Sequence, residues 1–68
     1  MVVEPSTRVT PLNFVTRERI TRAQQLIRET SRSVIEIGLE VGYTSPSYFT
    51  KVFRRVVGVT PTEFRSSL

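Results

Sequence analysis

The sequence has no cysteine, histidine, tryptophan or aspartate, and it contains a single lysine. Without cysteine the chain forms no disulfide, and without cysteine or histidine it has no zinc site of the usual thiolate and imidazole type. Its acidic residues are six scattered glutamates, and no histidine is available as a general base. The composition therefore argues against an enzyme, and it predicts no catalytic residue, no metal and no cofactor.

Long apolar stretches are absent as well, since no run approaches the roughly 18 residues that a membrane-spanning helix needs. Residues 1–5 have neither a basic region nor a long apolar segment, so they do not resemble a signal peptide. A chain without cysteine is also consistent with a reducing compartment. We therefore expect a cytoplasmic protein with no membrane partner.

Chain length sets a limit on stability, because 68 residues form one small domain at most. A chain of this size buries only about 60% of the surface that its unfolded form exposes. Without a disulfide or a metal, such a core rarely contributes more than roughly 3–5 kcal/mol. We therefore expect a single, marginally stable domain.

Positive charge is the most prominent feature that is present. Ten Lys and Arg residues against six Glu give a net charge of +4 and a pI of about 10.7, above the value of about 9 that suggests nucleic-acid binding. Residues 8–32 and 45–68 are both basic, whereas 33–44 contains only Glu36 and Glu40 as charged residues. Net charge alone does not separate a nucleic-acid-binding protein from a merely soluble one, but this uneven distribution favours the former.

Helix-start signals and apolar spacing predict an all-α fold of about four helices, without strands. Residues 1–9 show no apolar period and are predicted to be a flexible leader, so that 10–68 form the folded module. Thr10 and Pro11 have the form of an N-cap followed by a first-turn proline, which begins a helix over about 11–29. Its apolar positions, at helical spacing, are Leu12, Val15, Ile20, Ala23, Leu26 and Ile27.

A second, shorter helix is predicted over about 34–41. Ser33 and Glu36 have the spacing of a capping box, in which each side chain satisfies a backbone amide of the other residue. Gly42 stands where a left-handed residue would end the helix. Gly38 in its interior costs about 1 kcal/mol relative to alanine, which suggests a close approach by another helix.

The third predicted helix covers about 46–57. Ser45 and Pro46 form a second pair of N-cap and first-turn proline, and Gly58 supplies the stop. The residues expected to be buried are Phe49, Val52, Phe53 and Val56.

A fourth, short helix is predicted over about 61–67. Thr60 and Glu63 form a capping box around Pro61, and Phe64 is the only large apolar residue available to anchor this helix.

The helices over 34–41 and 46–57 have the spacing of a helix-turn-helix motif, with a glycine in the turn. In this motif the second helix enters the major groove of DNA, while the first crosses the backbone. The second helix is the basic one here, so the sequence predicts double-stranded DNA as the partner. The predicted DNA-binding residues are Thr44, Ser45, Pro46, Ser47, Tyr48, Thr50, Lys51, Arg54 and Arg55.

Residues in the first turns of this helix are predicted to contact bases. Ser47 and Lys51 lie four residues apart on one side, and both side chains can hydrogen-bond to base edges. Pro46 or Tyr48 can touch a thymine methyl group.

Other residues are predicted to contact the DNA backbone. Arg54 and Arg55 lie further along the helix and are placed for phosphates, while Thr44 and Ser45 offer a hydroxyl and amides at its start. The alternative for the cations is a solvated face near the C-terminal end of the helix dipole. The helix-turn-helix spacing favours DNA contact.

One long pattern runs through the second half of the chain without a gap. Its segments are Ile37-Gly38-Leu39-Glu40-Val41-Gly42-Tyr43, Ser45-Pro46-Ser47-Tyr48-Phe49, Phe53, and Gly58-Val59-Thr60-Pro61-Thr62-Glu63-Phe64-Arg65. This pattern resembles the signature of the AraC/XylS family of bacterial transcription regulators. Arg19-Ile20 and Ala23 are similar to the linker helix that precedes the motif in that family.

The resemblance implies a homeodomain-like helix-turn-helix preceded by a longer linker helix, the second of two such units in the family's DNA-binding domain. The chain is then expected to be part of a longer regulator, without the first unit and the effector-binding domain. By resemblance, Arg65 is a structural residue, and Gly38 departs from the alanine that is usual there. Pro46, Ser47 and Lys51 correspond to base-contacting positions, with Thr50, Arg54 and Arg55 nearer the backbone.

A second function stays open at this point. Ile35 and Leu39 lie four residues apart on a different face of the helix over 34–41, where they either meet the first helix or stay exposed. If exposed, they would offer a contact for RNA polymerase or for a second copy of the chain. The chain would then be a protein-interaction module with little DNA binding of its own.

Overall fold

The computed structural model describes residues 12–68, with side chains from residue 14 onward. Within this range the chain forms no strand and four helices, which are α1 at Leu12–Glu29, α2 at Val34–Glu40, α3 at Pro46–Val57 and α4 at Pro61–Ser66. The predicted all-α fold is confirmed. The predicted leader over 1–9 and the helix start at Thr10 and Pro11 lie outside the described residues. No helix in the described part of the chain is both long and apolar enough to cross a membrane.

Side chains at the starts of α2 and α4 satisfy backbone amides that a helix leaves free. Ser33 Oγ accepts the Glu36 N–H at 3.1 Å, and the Glu36 carboxylate accepts the Ser33 N–H at 3.2 Å. The same reciprocal pair joins Thr60 and Glu63. There, the backbone amide and hydroxyl of Thr60 hold the pKa of Glu63 below its ordinary value, and the charge of Arg54 adds to the effect. Both predicted capping boxes are confirmed.

Helix α1 is the platform on which the three shorter helices pack. Its buried residues are Ile20, Ala23 and Ile27, which lie three and four positions apart on one face. The other members of the buried cluster are Ile37, Tyr43, Phe49, Val52 and Phe53. At the start of α1, Phe14 and Val15 are exposed, so the apolar side of this helix is not covered along its whole length.

A row of aromatic rings runs through the core from α4 to the start of α3. The rings belong to Phe64, Phe53, Phe49, Tyr43 and Tyr48. Successive centroids lie 5.6 to 5.8 Å apart, at separations where tilted and edge-to-face rings attract each other. Phe64 therefore anchors α4, as predicted.

The close approach predicted at Gly38 is made by the ring of Phe49. A Cβ atom added to Gly38 would lie 2.8 Å from Phe49 Cδ2, closer than two carbon atoms normally approach. Phe49 is only 1% exposed, so its ring has little room to move away. Helices α2 and α3 pack this closely because residue 38 has no side chain.

The prediction that Val56 is buried is wrong, because its side chain is 42% exposed. Helical spacing puts Val56 on the same side of α3 as Phe49 and Phe53. However, Val56 lies in the last turn of α3, where the other helices cover this side less completely than they cover Phe49 and Phe53. The neighbouring Val57 packs against the core instead.

A long-range hydrogen bond joins α4 to the end of α1. Arg65 Nη2 donates to the backbone oxygen of Thr30 at 3.2 Å, and this contact is partly buried. Because the oxygen lies just beyond the end of a helix, it has no partner within the helix itself. Arg65 therefore has the structural role that the family resemblance implied.

We expect Gly38→Ala to destabilise the protein, although alanine favours helices by about 1 kcal/mol. The new methyl group would force the buried Phe49 ring to move, and overpacking of this kind costs about 1–3 kcal/mol. The free energy of unfolding, measured in urea, should therefore fall by about 1 kcal/mol. The matched control is Thr21→Ala at an exposed position of α1, which should be neutral or slightly stabilising. A Gly38→Ala variant as stable as this control would contradict the close contact.

Candidate nucleic-acid interface

The turn between α2 and α3 is fixed by backbone hydrogen bonds and one left-handed residue. Gly42 has a φ of 107°, which side chains disfavour, and it follows the end of α2 as predicted. The Tyr43 N–H donates to the Gly38 oxygen at 2.9 Å, and the Gly42 N–H donates to the Leu39 oxygen at 3.1 Å. Tyr43 is buried, so its ring ties the turn to the core. The turn thus sets the direction in which α3 begins.

Both ends of α3 are defined by local contacts that the sequence predicted. Ser45 Oγ accepts the Tyr48 N–H at 3.2 Å, and Pro46 follows as the first helical residue. The hydroxyl hydrogen of Ser45 stays available as a donor. At the other end, Gly58 has a left-handed φ of 102°, and its N–H donates to the Arg54 oxygen. The helix therefore has the bounds 46–57 that the sequence predicted.

One side of α3 is buried and the opposite side is open to solvent. Phe49, Val52 and Phe53 form the buried side. Of the predicted DNA-binding residues, Thr50 is half-buried and the rest are exposed. The exposed ones are Thr44, Ser45, Pro46, Ser47, Tyr48, Lys51, Arg54 and Arg55. The fold thus brings the predicted residues together around the outer side of one helix, while their contact with DNA stays a prediction.

The cations on this side of α3 are available to an anion. Within residues 12–68, Lys51, Arg54 and Arg55 form no ion pair. An ion pair of 3.2 Å does join Arg32, in the loop before α2, to Glu40, the last residue of α2. A DNA duplex has one negative charge per about 1.7 Å of its axis, so it attracts such a surface strongly. The exposed hydroxyl groups nearby add hydrogen-bond donors and acceptors. The surface can therefore bind a phosphate backbone through both charge and hydrogen bonds.

One residue beside this surface was not among the predicted DNA-binding residues. Arg19 of α1 extends over the ring of Tyr43, with its Cζ atom 5.4 Å from the ring centroid. It also lines an open groove of about 370 Å³ next to the start of α3. Helical spacing identifies Arg19 only as a polar residue of α1, because its place beside the turn depends on how α1 packs.

Comparison with known families agrees with this helix-turn-helix geometry. A family described as a helix-turn-helix domain, of the AraC type, matches residues 2–67. The chain belongs to the AraC/XylS family. The resemblance in the sequence is thereby confirmed. No solved structure matches the chain.

Similar proteins are regulators of transcription by name. The HTH-type transcriptional activator RhaR of Mannheimia succiniciproducens is 37% identical over 65 residues, which are 96% of this chain and 24% of RhaR. The HTH-type transcriptional regulator ArgR of Pseudomonas aeruginosa is 39% identical over 56 residues, 82% of this chain and 17% of ArgR. The regulator ExsA of the same species is 39% identical over 57 residues, 84% of this chain and 20% of ExsA. The chain thus spans about a quarter or less of the length of these relatives.

We expect Ser45→Ala to lower the free energy of unfolding by about 1 kcal/mol, because the Tyr48 N–H loses its acceptor. Ser45→Asp should keep most of that stability, since aspartate caps a helix as well as serine does and its charge suits the helix N-terminus. Urea unfolding compares the two variants with the wild type. Ser47→Ala is the control, because that hydroxyl does not cap the helix. Equal stabilities for Ser45→Ala and Ser45→Asp would show that the cap does not form in solution.

Proposed function

We propose that this chain binds double-stranded DNA, with α3 in the major groove, as part of a bacterial regulator of transcription. The observation that supports this most directly is the basic outer side of α3, opposite to the buried Phe49 and Phe53. An α-helix with its side chains is about 10–12 Å across, and the major groove of B-DNA is about 12 Å wide. The helix therefore fits the groove, and membership in the AraC/XylS family supports the same function.

In this complex the first turns of α3 face the bases. Ser47 and Lys51 are exposed and lie one helical turn apart on the outermost side of the helix. Lysine donates to the O6 and N7 atoms of guanine, and serine bonds to either kind of base edge. Pro46 and Tyr48, also exposed, are placed to touch a thymine methyl group. These four residues would determine the DNA sequence preference of α3.

The remaining residues of the interface would contact the DNA backbone. Arg54 and Arg55 lie beyond the first turns of α3, and guanidinium groups bind phosphate through paired, charge-assisted hydrogen bonds. The half-buried Thr50 and the exposed Thr44 and Ser45 provide hydroxyl groups for the same backbone. Such contacts would orient α3 without selecting a sequence.

We further propose that residues 1–9 are a leader and that residues 10–68 form the DNA-binding module. In this module α1 is the linker helix, and α2 and α3 belong to the second helix-turn-helix unit of the family's domain.

With a single helix in the groove, the affinity of this chain alone should be close to the non-specific range, with a Kd of about 10⁻⁴ to 10⁻⁶ M. A bacterial regulator of this kind acts in the cytoplasm, where the DNA lies.

A protein-interaction role is the rival function, and the exposure of Ile35 (56%) and Leu39 (54%) is the observation that favours it. The partner would be RNA polymerase or a second copy of the chain. Two aliphatic side chains are a small contact beside the roughly 800 Å² that each partner buries in a standard interface, so we rank this role second. A molecular mass that rises with concentration in light scattering, without DNA, would favour it.

We expect Lys51→Ala combined with Arg54→Ala to weaken DNA binding about tenfold or more, because one base contact and one phosphate contact are lost. Alanine is a good helix former, so α3 should stay folded. Fluorescence anisotropy with labelled double-stranded DNA, at two salt concentrations, gives the two affinities and their salt dependence.

The matched control for this experiment combines Arg17→Ala with Arg28→Ala, which removes the same charge from exposed positions of α1. This control should keep most of the affinity, since distant surface charges are screened by salt. An equal loss in both double variants would mean that net charge alone drives binding. Unchanged binding by the variant in α3 would reject this helix as the DNA-contacting element.

A further inference from the structure

The open groove of about 370 Å³ lies between α1 and the start of α3. Val15, Thr16 and Arg19 form one side, and the turn over 42–45 and the side chain of Tyr48 form the other. Its polar lining consists of hydroxyl groups and one guanidinium group, and no acidic residue of the described chain lines it. The groove therefore has the charge and the donors that suit an anion.

Arg19 is held at this groove by two neighbours. Its guanidinium lies over the Tyr43 ring, with Cζ 5.4 Å from the centroid. The other neighbour is Gly42, where an added Cβ atom would be in ordinary van der Waals contact with Arg19, 3.4 Å from both its Cζ and Nε atoms. Among the described residues Arg19 has no ion-pair partner. The guanidinium N–H groups of Arg19 are thus held at the groove, and they donate to no carboxylate in this part of the chain.

The groove is continuous with the proposed DNA-contacting side of α3, because Ser45 and Tyr48 belong to both. When a helix lies in the major groove, the two sugar-phosphate backbones pass on either side of it. Helical periodicity puts Tyr48 on one flank of α3, and Thr50 and Arg54 toward the other. The backbone that passes on the Tyr48 flank would therefore run over the groove and Arg19.

We propose that Arg19 contacts a phosphate of the DNA backbone, and that the groove is the place where this phosphate lies. This inference rests on the proposed function and adds to it a contact from α1, outside the helix-turn-helix. A guanidinium group donates paired, charge-assisted hydrogen bonds to phosphate oxygens. The Thr44 and Ser45 hydroxyl groups, at the same groove, are placed to donate to the same phosphate. The contact orients α3 on the duplex and has no sequence preference.

The test compares the salt dependence of DNA binding in the wild-type chain, Arg19→Gln and Arg19→Lys. The probe is a short, fluorescein-labelled double-stranded DNA of mixed sequence, and anisotropy gives the Kd between about 50 and about 200 mM salt. Each neutralised phosphate contributes about 0.9 to the slope of log affinity against log salt, so Arg19→Gln should lower the slope by that amount. Arg19→Lys keeps the charge and should keep the slope. Circular dichroism at each salt concentration verifies that every variant is folded.

Arg28→Gln is the matched control, because it removes one charge from an exposed position at the far end of α1, outside the groove. It should change the slope much less, since exposed charges beyond about 10 Å are screened at about 0.1 M salt. An unchanged slope in Arg19→Gln, or an equal drop in Arg28→Gln, would overturn the Arg19 contact.

This design separates the Arg19 contact from the proposed function. If Arg19→Gln kept the wild-type slope while Lys51→Ala with Arg54→Ala weakened binding, α3 would remain the DNA-contacting helix and the Arg19 contact would be rejected. If the folded wild-type chain bound no DNA, both proposals would be rejected.

Discussion

The packing of Phe49 against Gly38 is the contact on which the rest of this structure depends. The Phe49 ring occupies the space that a side chain at residue 38 would need, and its centroid lies 5.6 Å from that of Tyr43 and 5.8 Å from that of Phe53. One buried ring therefore fixes the crossing of α2 and α3 and the position of the turn between them. Because this side of α3 is held inward, Lys51 on the opposite side faces solvent. The basic surface is thus a consequence of how the core packs.

Helix α1 contacts both the helix-turn-helix and the helix α4 that follows it. Its buried face supports the core, and the backbone oxygen of Thr30, just after its last turn, accepts the hydrogen bond from Arg65. One side of its first half reaches the turn before α3, where Arg19 lies over Tyr43. A shift of α1 would therefore move the groove as well as the core. This couples α1, which we propose is the linker helix, to the helix that we propose lies in the DNA.

Features that depend on neighbours in the chain could be predicted from the sequence. The capping boxes at Ser33 and Thr60 and the left-handed Gly42 follow from short patterns, and the outer side of α3 follows from the spacing of its buried residues. Features that depend on tertiary packing could not. Whether Val56 is buried depends on how completely the other helices cover the last turn of α3, and helical spacing alone places this residue wrongly in the core. The family resemblance includes Arg19 in the pattern of the linker helix, but its position beside the turn follows only from how α1 packs.

A titration of the isotope-labelled chain with short double-stranded DNA, followed by NMR, tests most directly whether the outer side of α3 is the surface that binds DNA. If it is, the amide signals of Ser47, Lys51 and Arg54 should shift most as DNA is added, while those of Ile35 and Leu39 change little. Shifts concentrated at Ile35 and Leu39, with the signals of α3 unchanged, would contradict this assignment.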